Sequence, residues 1–188
     1  MVEEFLGVRV DHIAELDVAA LASIIDEFGS LPVYSRTAFT AGTTNFTEGT
    51  NTLDGASAAD FTSADPVDDA GQTRTRNQRA VIRALIHGLK PGGLIKNPAK
   101  GAAVLSHFAS GINRSSALTT AELGKIANNL RHLKSDDVAV VVVPANSRRD
   151  DDGTVLVDFD AEALPALKNA LTGQDLPDFF RYLVSLGY

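Results

Sequence analysis

The segment from Thr50 to Leu85 carries the residue types best suited to chemistry, because it leads a loop rich in ionisable groups directly into a helix. Loops held by a rigid scaffold are common positions for binding and catalytic groups. The segment is therefore the predicted position of a binding or catalytic site. Its candidate groups are Asp68, Asp69, Arg74, Arg76, Arg79 and Arg83.

Each of these groups also has an ordinary structural interpretation. Arg76, Arg79 and Arg83 repeat at helical spacing on the side away from the apolar positions of the same helix, as on a solvated helix face. For Arg76 the two interpretations stay open, whereas the solvated face is favoured for Arg79 and Arg83. The neighbouring aspartates Asp68 and Asp69 are typical of a polar loop as well as of a metal site.

Several other kinds of site are excluded by composition and spacing. The chain has 188 residues, a net charge of -7 and no cysteine, so a basic nucleic-acid footprint and thiolate metal sites are absent. The four histidines lie far apart without metal-like spacing, and no nucleophile elbow, phosphate-binding loop or dinucleotide glycine pattern occurs. The longest apolar run, Val138 to Val143, is too short to span a membrane, and the first residues do not resemble a signal peptide.

Hydrophobic spacing and capping residues predict the elements that position the candidate groups. Asp17 precedes an apolar stripe that predicts a helix ending near Gly29, and the spacing of apolar residues predicts further helices along the chain. Strands are predicted over residues 8–16, 31–34, 138–143 and 154–159, the third as a central strand because it is apolar at every position. Thr119 and Glu122 predict a capping box. Residues 36–51 predict an exposed loop or hairpin.

The order of these elements is β-α-β-loop-α-α-α-β-β-α. It predicts an α/β protein of three α/β/α layers, with helices packed on both faces of a central mixed sheet. The composition, 44% hydrophobic and 22% charged, fits a soluble globular protein. We find no internal repeat and no linker, so residues 1–188 are predicted to form a single domain.

The order of short motifs resembles the LytR-CpsA-Psr proteins of Gram-positive cell envelopes. The similarity covers nearly the whole chain, and each motif is weak by itself, but seven follow one another in the order of the family. They are the entry to a strand at 2–12, the segment at 25–33, the Leu-Asp-Gly turn at 49–58, the Arg-Asn-Gln start of a helix at 76–78, the threonine-capped helix at 119, the valine strand ending at Pro144, and the final segment at 152–158.

The same resemblance shows two departures from the family pattern. The family has an earlier half-domain, so we expect this chain to correspond to the C-terminal two-thirds of the domain. The family also has a Tyr-x-Arg-x-Arg motif shortly after Leu-Asp-Gly, which falls here on Phe61, Ser63 and Asp65 when counted without a gap. Both arginines of that motif are therefore replaced, and we expect catalysis to be weak or lost.

The resemblance implies a phosphotransferase that moves a glycopolymer from a polyprenyl pyrophosphate carrier to peptidoglycan. It assigns catalysis to Arg74, Arg76 and Asp69, pyrophosphate binding to Arg76, Gln78 and Arg79, and Mg²⁺ to Asp68 and Asp69. The alternative is a non-catalytic module that binds polyprenyl lipid or another protein chain. Family members work outside the cell behind a membrane anchor, and neither a signal nor an anchor is recognisable in this sequence, so localisation stays open.

Overall fold

The computed structural model describes residues 2–64, 72–88, 98–130, 140, 142–173 and 175–185. Eight helices lie in these ranges: α1 Val2–Leu6, α2 Val18–Phe28, α3 Gly55–Ser63, α4 Gln72–Gly88, α5 Pro98–Gly111, α6 Thr120–Leu130, α7 Ala163–Gly173 and α8 Leu176–Ser185. Eight strands accompany them: β1 Ala14–Leu16, β2 Leu31–Ser35, β3 Phe39–Ala41, β4 Thr44–Phe46, β5 Gly49–Leu53, β6 Ile112–Arg114, β7 Ala145–Arg149 and β8 Val155–Phe159. The mixed α/β class predicted from the sequence is confirmed.

The strands of the described residues pair antiparallel, in four sheets of two strands each. β2 pairs with β5, β3 with β4, β1 with β6, and β7 with β8. The central sheet predicted from the sequence thus takes the form of short antiparallel pairs in this part of the chain. No described helix is both long and apolar enough to cross a membrane.

The chain divides into two compact units, residues 12–140 and residues 1–11 with 141–188. Whether they form one domain, as the sequence predicts, stays a prediction. The second unit holds the β7–β8 hairpin, α1, α7 and α8. Its core is formed by Ala170, Phe179 and Leu183, and the ring of Phe5 lies 5.2 Å from that of Phe159.

The larger unit is built around a buried cluster that joins α2, α3, α4, β2, β4 and β5. Ile25 and Phe61 are completely buried in it, because α2 packs on α3 and α3 packs on α4. The rings of Phe39 and Phe46 lie 5.5 and 5.1 Å from that of Phe61. Since α4 also packs against β2, this cluster fixes α4 relative to the strand pair β2–β5. A smaller cluster around Leu118 and Leu123 holds α6.

The turn at Leu53-Asp54-Gly55 is explained by packing and capping alone. Leu53 is buried at the end of β5, and Asp54 is the N-cap of α3. The Asp54 carboxylate accepts a hydrogen bond from the backbone N–H of Ser57 at 2.9 Å, and the Ser57 hydroxyl accepts one from the backbone N–H of Asp54 at 2.9 Å. The Ser57 hydroxyl in turn donates to Oδ1 of Asp54 at 2.6 Å, and this bond first, then the one from the Ser57 N–H, lowers the pKa of the Asp54 carboxyl. The motif therefore starts a helix.

Gly55 is required at this turn because α3 approaches α2 closely. Its N–H donates to the Oδ1 atom of Asp26 at 2.7 Å. A Cβ atom at Gly55 would overlap the carbonyl oxygen of Ala22 and lie 2.6 Å from Oδ2 of Asp26. Any side chain here would consequently force the two helices apart.

Several sequence predictions are confirmed at their capping residues. Asp17 caps α2 and accepts a hydrogen bond from the N–H of Ala20 at 2.6 Å, and Gly29 ends that helix with a positive φ of 85°. Between β7 and β8, the N–H of Gly153 donates to the carbonyl of Asp150 at 3.0 Å. The predicted loop or hairpin at 36–51 holds the β3–β4 hairpin.

Other predictions need correction. The strand predicted over 8–16 is reduced to Ala14–Leu16, the three residues that pair with β6. Only one half of the predicted capping box at Thr119 forms. The Thr119 hydroxyl accepts a hydrogen bond from the N–H of Glu122 at 3.2 Å, but the carboxylate of Glu122 accepts its hydrogen bond from Lys125 at 3.0 Å. Of the predicted strand 138–143, residues 138, 139 and 141 lie outside the described residues, and the others lie outside any strand.

Candidate functional site

A cavity of about 590 Å³ lies beside α4 and β2 in the larger unit. This volume falls in the range of small-molecule sites, roughly 300–1,000 Å³. Four arginines line it, one following β2 and three on α4: Arg36, Arg76, Arg79 and Arg83. We refer to it as the arginine cavity. Leu31, Val33, Ala80 and Ala84 supply apolar lining beside these charges.

The three arginines of α4 form a row because residues at i, i+3 and i+7 share one face of a helix. Over seven residues the row extends about 10.5 Å along the helix axis. At one end, Nη2 of Arg76 donates to the Thr73 hydroxyl at 2.8 Å. At the other end, Nη2 of Arg83 donates to the carbonyl oxygen of Val140 at 3.0 Å. Because of its length, the row can contact more than one anionic group at once.

The electrostatics of the cavity are those of an anion site. Burial lowers the pKa of Arg79, and repulsion by Arg76 and then Arg83 lowers it further. None of the described residues that line the cavity is acidic, although the chain as a whole carries a net charge of -7. Repulsion by Arg76 and Arg83 is one of the causes of the lowered pKa of Arg79, and a bound phosphate or pyrophosphate would relieve that repulsion.

Asn77 holds the arginine row in place. Its side chain is 5% exposed, and its Nδ2 donates to the backbone carbonyl of Phe61 at 2.8 Å. This bond ties the start of α4 to the end of α3. Gln78 reaches the same helix from an exposed position, with Nε2 at 3.5 Å from the carbonyl of Thr62, and it does not line the cavity. The neighbouring polar pair thus supports the scaffold.

The structure brings together some of the predicted site residues and separates others. Arg76 and Arg79 line the arginine cavity, whereas Arg74 is exposed and lies outside its lining. Asp68 and Asp69, predicted as Mg²⁺ ligands with Asp69 also catalytic, lie outside the described residues. The described residues contain no group of three His, Asp or Glu side chains placed to hold a metal ion.

The residues on which we expect the family's Tyr-x-Arg-x-Arg motif to fall can be placed in part. Phe61 is completely buried among Phe39 and Phe46 and therefore serves the core. Ser63 is exposed at the last position of α3, and Asp65 lies outside the described residues. Neither Phe61 nor Ser63 lines the arginine cavity.

Sequence reasoning missed two contributors and underrated a third. Arg36 was predicted to lie in an exposed loop or hairpin, and no local pattern distinguishes it. His87 lines the cavity at the end of α4 and was set aside with the other histidines. For Arg83, as for Arg79, the solvated face is favoured by the sequence, although its spacing places it on one helix face with Arg76 and Arg79.

Comparison with known proteins identifies the relatives of this fold. The model of the LytR_cpsA_psr family matches residues 1–173. The chain is similar to the cell wall biosynthesis protein LcpA of Corynebacterium glutamicum, with 25% identity over 182 residues that cover 94% of the chain and 34% of LcpA. It thus spans about a third of the length of that curated relative.

Solved structures share the fold at lower identity. TagV of B. subtilis superposes with a TM-score of 0.73 at 18% identity, covering 92% of this chain and 66% of that one. A LytR-Csp2A-Psr enzyme from Actinomyces oris gives a TM-score of 0.64 at 21% identity, with coverage of 86% and 64%. A structure of TagT bound to LI-WTA gives 0.65 at 18% identity, with coverage of 92% and 63%.

Proposed function

This chain belongs to the LytR-CpsA-Psr family, and from that premise we propose that its arginine cavity binds the phosphate groups of a polyprenyl-linked glycopolymer in the cell envelope. The observation that carries the proposal is the row of Arg76, Arg79 and Arg83 in a cavity whose described lining has no acidic residue. Similarity to a cell wall biosynthesis protein, and a shared fold with a TagT structure bound to LI-WTA, support the same class of ligand.

The chemistry of such a ligand matches the two kinds of lining. A pyrophosphate carries several negative charges, and arginine forks bind its oxygens bidentately. Ala80 and Ala84 are partly exposed beside the arginines and offer apolar surface where a lipid chain attached to the pyrophosphate can leave water. We therefore place the charged head group along α4, with the start of the lipid against these apolar residues.

We propose that binding is retained and that transfer is weak. In the transfer implied by the family, a peptidoglycan hydroxyl attacks phosphorus, loses its proton and forms a phosphodiester, while polyprenyl phosphate leaves. Removing one donor that stabilises developing charge costs roughly 10²–10³ in rate. Ser63 and Asp65 stand where the family has arginines, so two such donors are replaced. A binding module for polyprenyl lipid, the alternative function, is compatible with the same cavity.

Mg²⁺ would neutralise charge on a bound pyrophosphate. The described residues that line the cavity include no carboxylate, so by themselves they do not fit a protein-held Mg²⁺ site. The predicted ligands Asp68 and Asp69 lie outside the described residues. Mg²⁺ binding by this chain is accordingly a proposal that the experiment below includes as a variable.

The test is a calorimetric titration with geranylgeranyl diphosphate, with and without Mg²⁺. Hydrogen bonds to charged groups contribute about 1.5–3 kcal/mol each, so Arg76→Ala and Arg79→Ala are each expected to raise Kd by about tenfold or more. Arg148→Ala is the matched control, because Arg148 is an exposed arginine of β7 paired with Asp158 at 2.8 Å and its loss changes net charge equally.

Equal binding by wild type, Arg76→Ala and Arg79→Ala would contradict the placement of the head group on α4. An equal loss of affinity in Arg148→Ala would show that net charge alone controls binding. Arg74→Ala tests the catalytic role that the family resemblance assigns to Arg74. Because Arg74 lies outside the cavity lining, this variant should raise Kd less than Arg76→Ala does.

A further inference from the structure

The β2 side of the arginine cavity carries two exposed residues to which neither the family motifs nor the sequence assigned a role. Tyr34 is the fourth residue of β2, and Arg36 directly follows its last residue. Both line the same cavity as the arginine row of α4. The cavity therefore has a cationic group on each of two elements, and an aromatic ring beside one of them.

The strand alternation explains how both side chains reach the cavity. Leu31, Val33 and Ser35 are buried in β2, so the residues between them face outwards. Tyr34 is exposed in phase with this pattern, and Arg36 is exposed directly after the strand, two residues further along. Two residues of strand span roughly 7 Å, so the two side chains can contact adjacent parts of one ligand.

Neither residue has an evident structural task. Arg36 makes no hydrogen bond or ion pair with any described residue, and its cavity already contains three other arginines. Tyr34 is 59% exposed, so much of a large side chain lies in water. Such a pair of exposed side chains in one cavity is more readily explained by a ligand than by packing.

We propose that Tyr34 and Arg36 are the residues that select the group esterified to the bound phosphate. Arg36 binds a phosphate oxygen from the β2 side, while the arginine row binds from α4. Tyr34 offers its ring face and its hydroxyl to the neighbouring substituent, and a sugar ring fits because it has both an apolar face and hydroxyl groups. This inference depends on the proposed function, since it assigns contacts with the same head group to the β2 side of the arginine cavity.

The chain has lost both arginines of the family's Tyr-x-Arg-x-Arg motif, and Arg36 supplies a guanidinium to the cavity from another element. Arg36 thereby restores cationic contact without restoring the original position. Its role is to position the head group, and a lysine there would keep the charge but lose the bidentate fork.

The experiment compares two probes by titration: geranylgeranyl diphosphate, and the same lipid diphosphate with one hexose esterified to it. Arg36→Ala is expected to weaken both probes by about tenfold, and Arg36→Lys to recover part of the loss. Tyr34→Ala is expected to weaken only the hexose probe, by about two- to tenfold, whereas Tyr34→Phe keeps most of its affinity because the ring remains. Thermal unfolding midpoints should stay unchanged, since both side chains are exposed.

The outcomes separate this inference from the function it depends on. If wild type binds neither probe, or Arg79→Ala binds both as wild type does, the proposed function fails. If Arg79→Ala weakens both probes while Arg36→Ala and Tyr34→Ala bind as wild type, the cavity binds phosphate but the assignment of its β2 wall is overturned. A loss in Tyr34→Ala that is equal for both probes would also overturn selection of the sugar.

Discussion

Replacing Gly55 by alanine tests whether the close packing of α3 on α2 requires glycine at the Leu-Asp-Gly turn. The new Cβ would overlap the carbonyl oxygen of Ala22 and lie 2.6 Å from Oδ2 of Asp26. Forcing an extra methyl group into a packed contact costs about 1–3 kcal/mol. The hydrogen bond from Gly55 N–H to Asp26, 2.7 Å long, would also be stretched, and because it involves a charged group this adds roughly 1 kcal/mol or more.

Alanine also favours helix formation over glycine by up to about 1 kcal/mol, which offsets part of this loss. The net expectation for Gly55→Ala is a decrease of about 1–3 kcal/mol in the free energy of unfolding, a large part of the roughly 5–15 kcal/mol typical of a domain. With a urea m-value of about 2 kcal/mol/M, the midpoint should fall by roughly 0.5–1.5 M.

Gly124→Ala is the matched control for this measurement. Gly124 lies inside α6, and a Cβ there would have no heavy atom within 4 Å. The same substitution should therefore raise stability by about 0.5–1 kcal/mol. Urea unfolding followed by far-UV circular dichroism measures both variants, and hydrogen exchange of the α3 amides assigns the loss to the unit that contains Gly55.

A similar midpoint shift for Gly55→Ala and Gly124→Ala would refute the close-approach explanation. Asp26→Ala divides the loss into its parts, because it removes the carboxylate and leaves the Ala22 carbonyl in place. Gly55→Ala should still destabilise the Asp26→Ala protein, since the backbone oxygen cannot move aside. If it did not, the conflict would lie with the Asp26 side chain rather than with the backbone of α2.

Two further predictions concern the scaffold of the cavity. Asn77→Ala should lower stability by about 1–3 kcal/mol in urea unfolding, because it leaves the buried carbonyl of Phe61 without its donor, whereas Gln78→Ala should change it little because that side chain is exposed. Asp54→Ala should destabilise the protein at pH 7, and the difference in stability from wild type should disappear in acid. The bonds from Ser57 lower the pKa of Asp54 in the folded protein. The carboxylate therefore stabilises the fold above the ordinary carboxyl pKa of about 4, and this contribution is lost as the pH falls through the folded pKa. A difference that grows in acid would contradict this sign.

Local sequence signals determined the elements that depend on a few neighbouring residues. Asp17 before an apolar stripe and Gly29 after it defined α2, because capping satisfies backbone groups within one turn. The family resemblance likewise came from short motifs in order, and the match over residues 1–173 confirms it. The strand predicted from the alternation of Val8 to Leu16 was too long, because only the last three residues pair with another strand. That partner strand lies about a hundred residues further along the chain.

The tertiary structure alone decided which charged groups share a site. Arg76 and Arg79 could be predicted as partners from helical spacing, but nothing near Arg36 in sequence indicates that it faces them. It reaches the same cavity because α4 packs against β2, and that contact depends on a core assembled from four or more separate elements. Sequence thus identified the arginines of one helix, whereas the second wall of the cavity follows from long-range packing that no local pattern encodes.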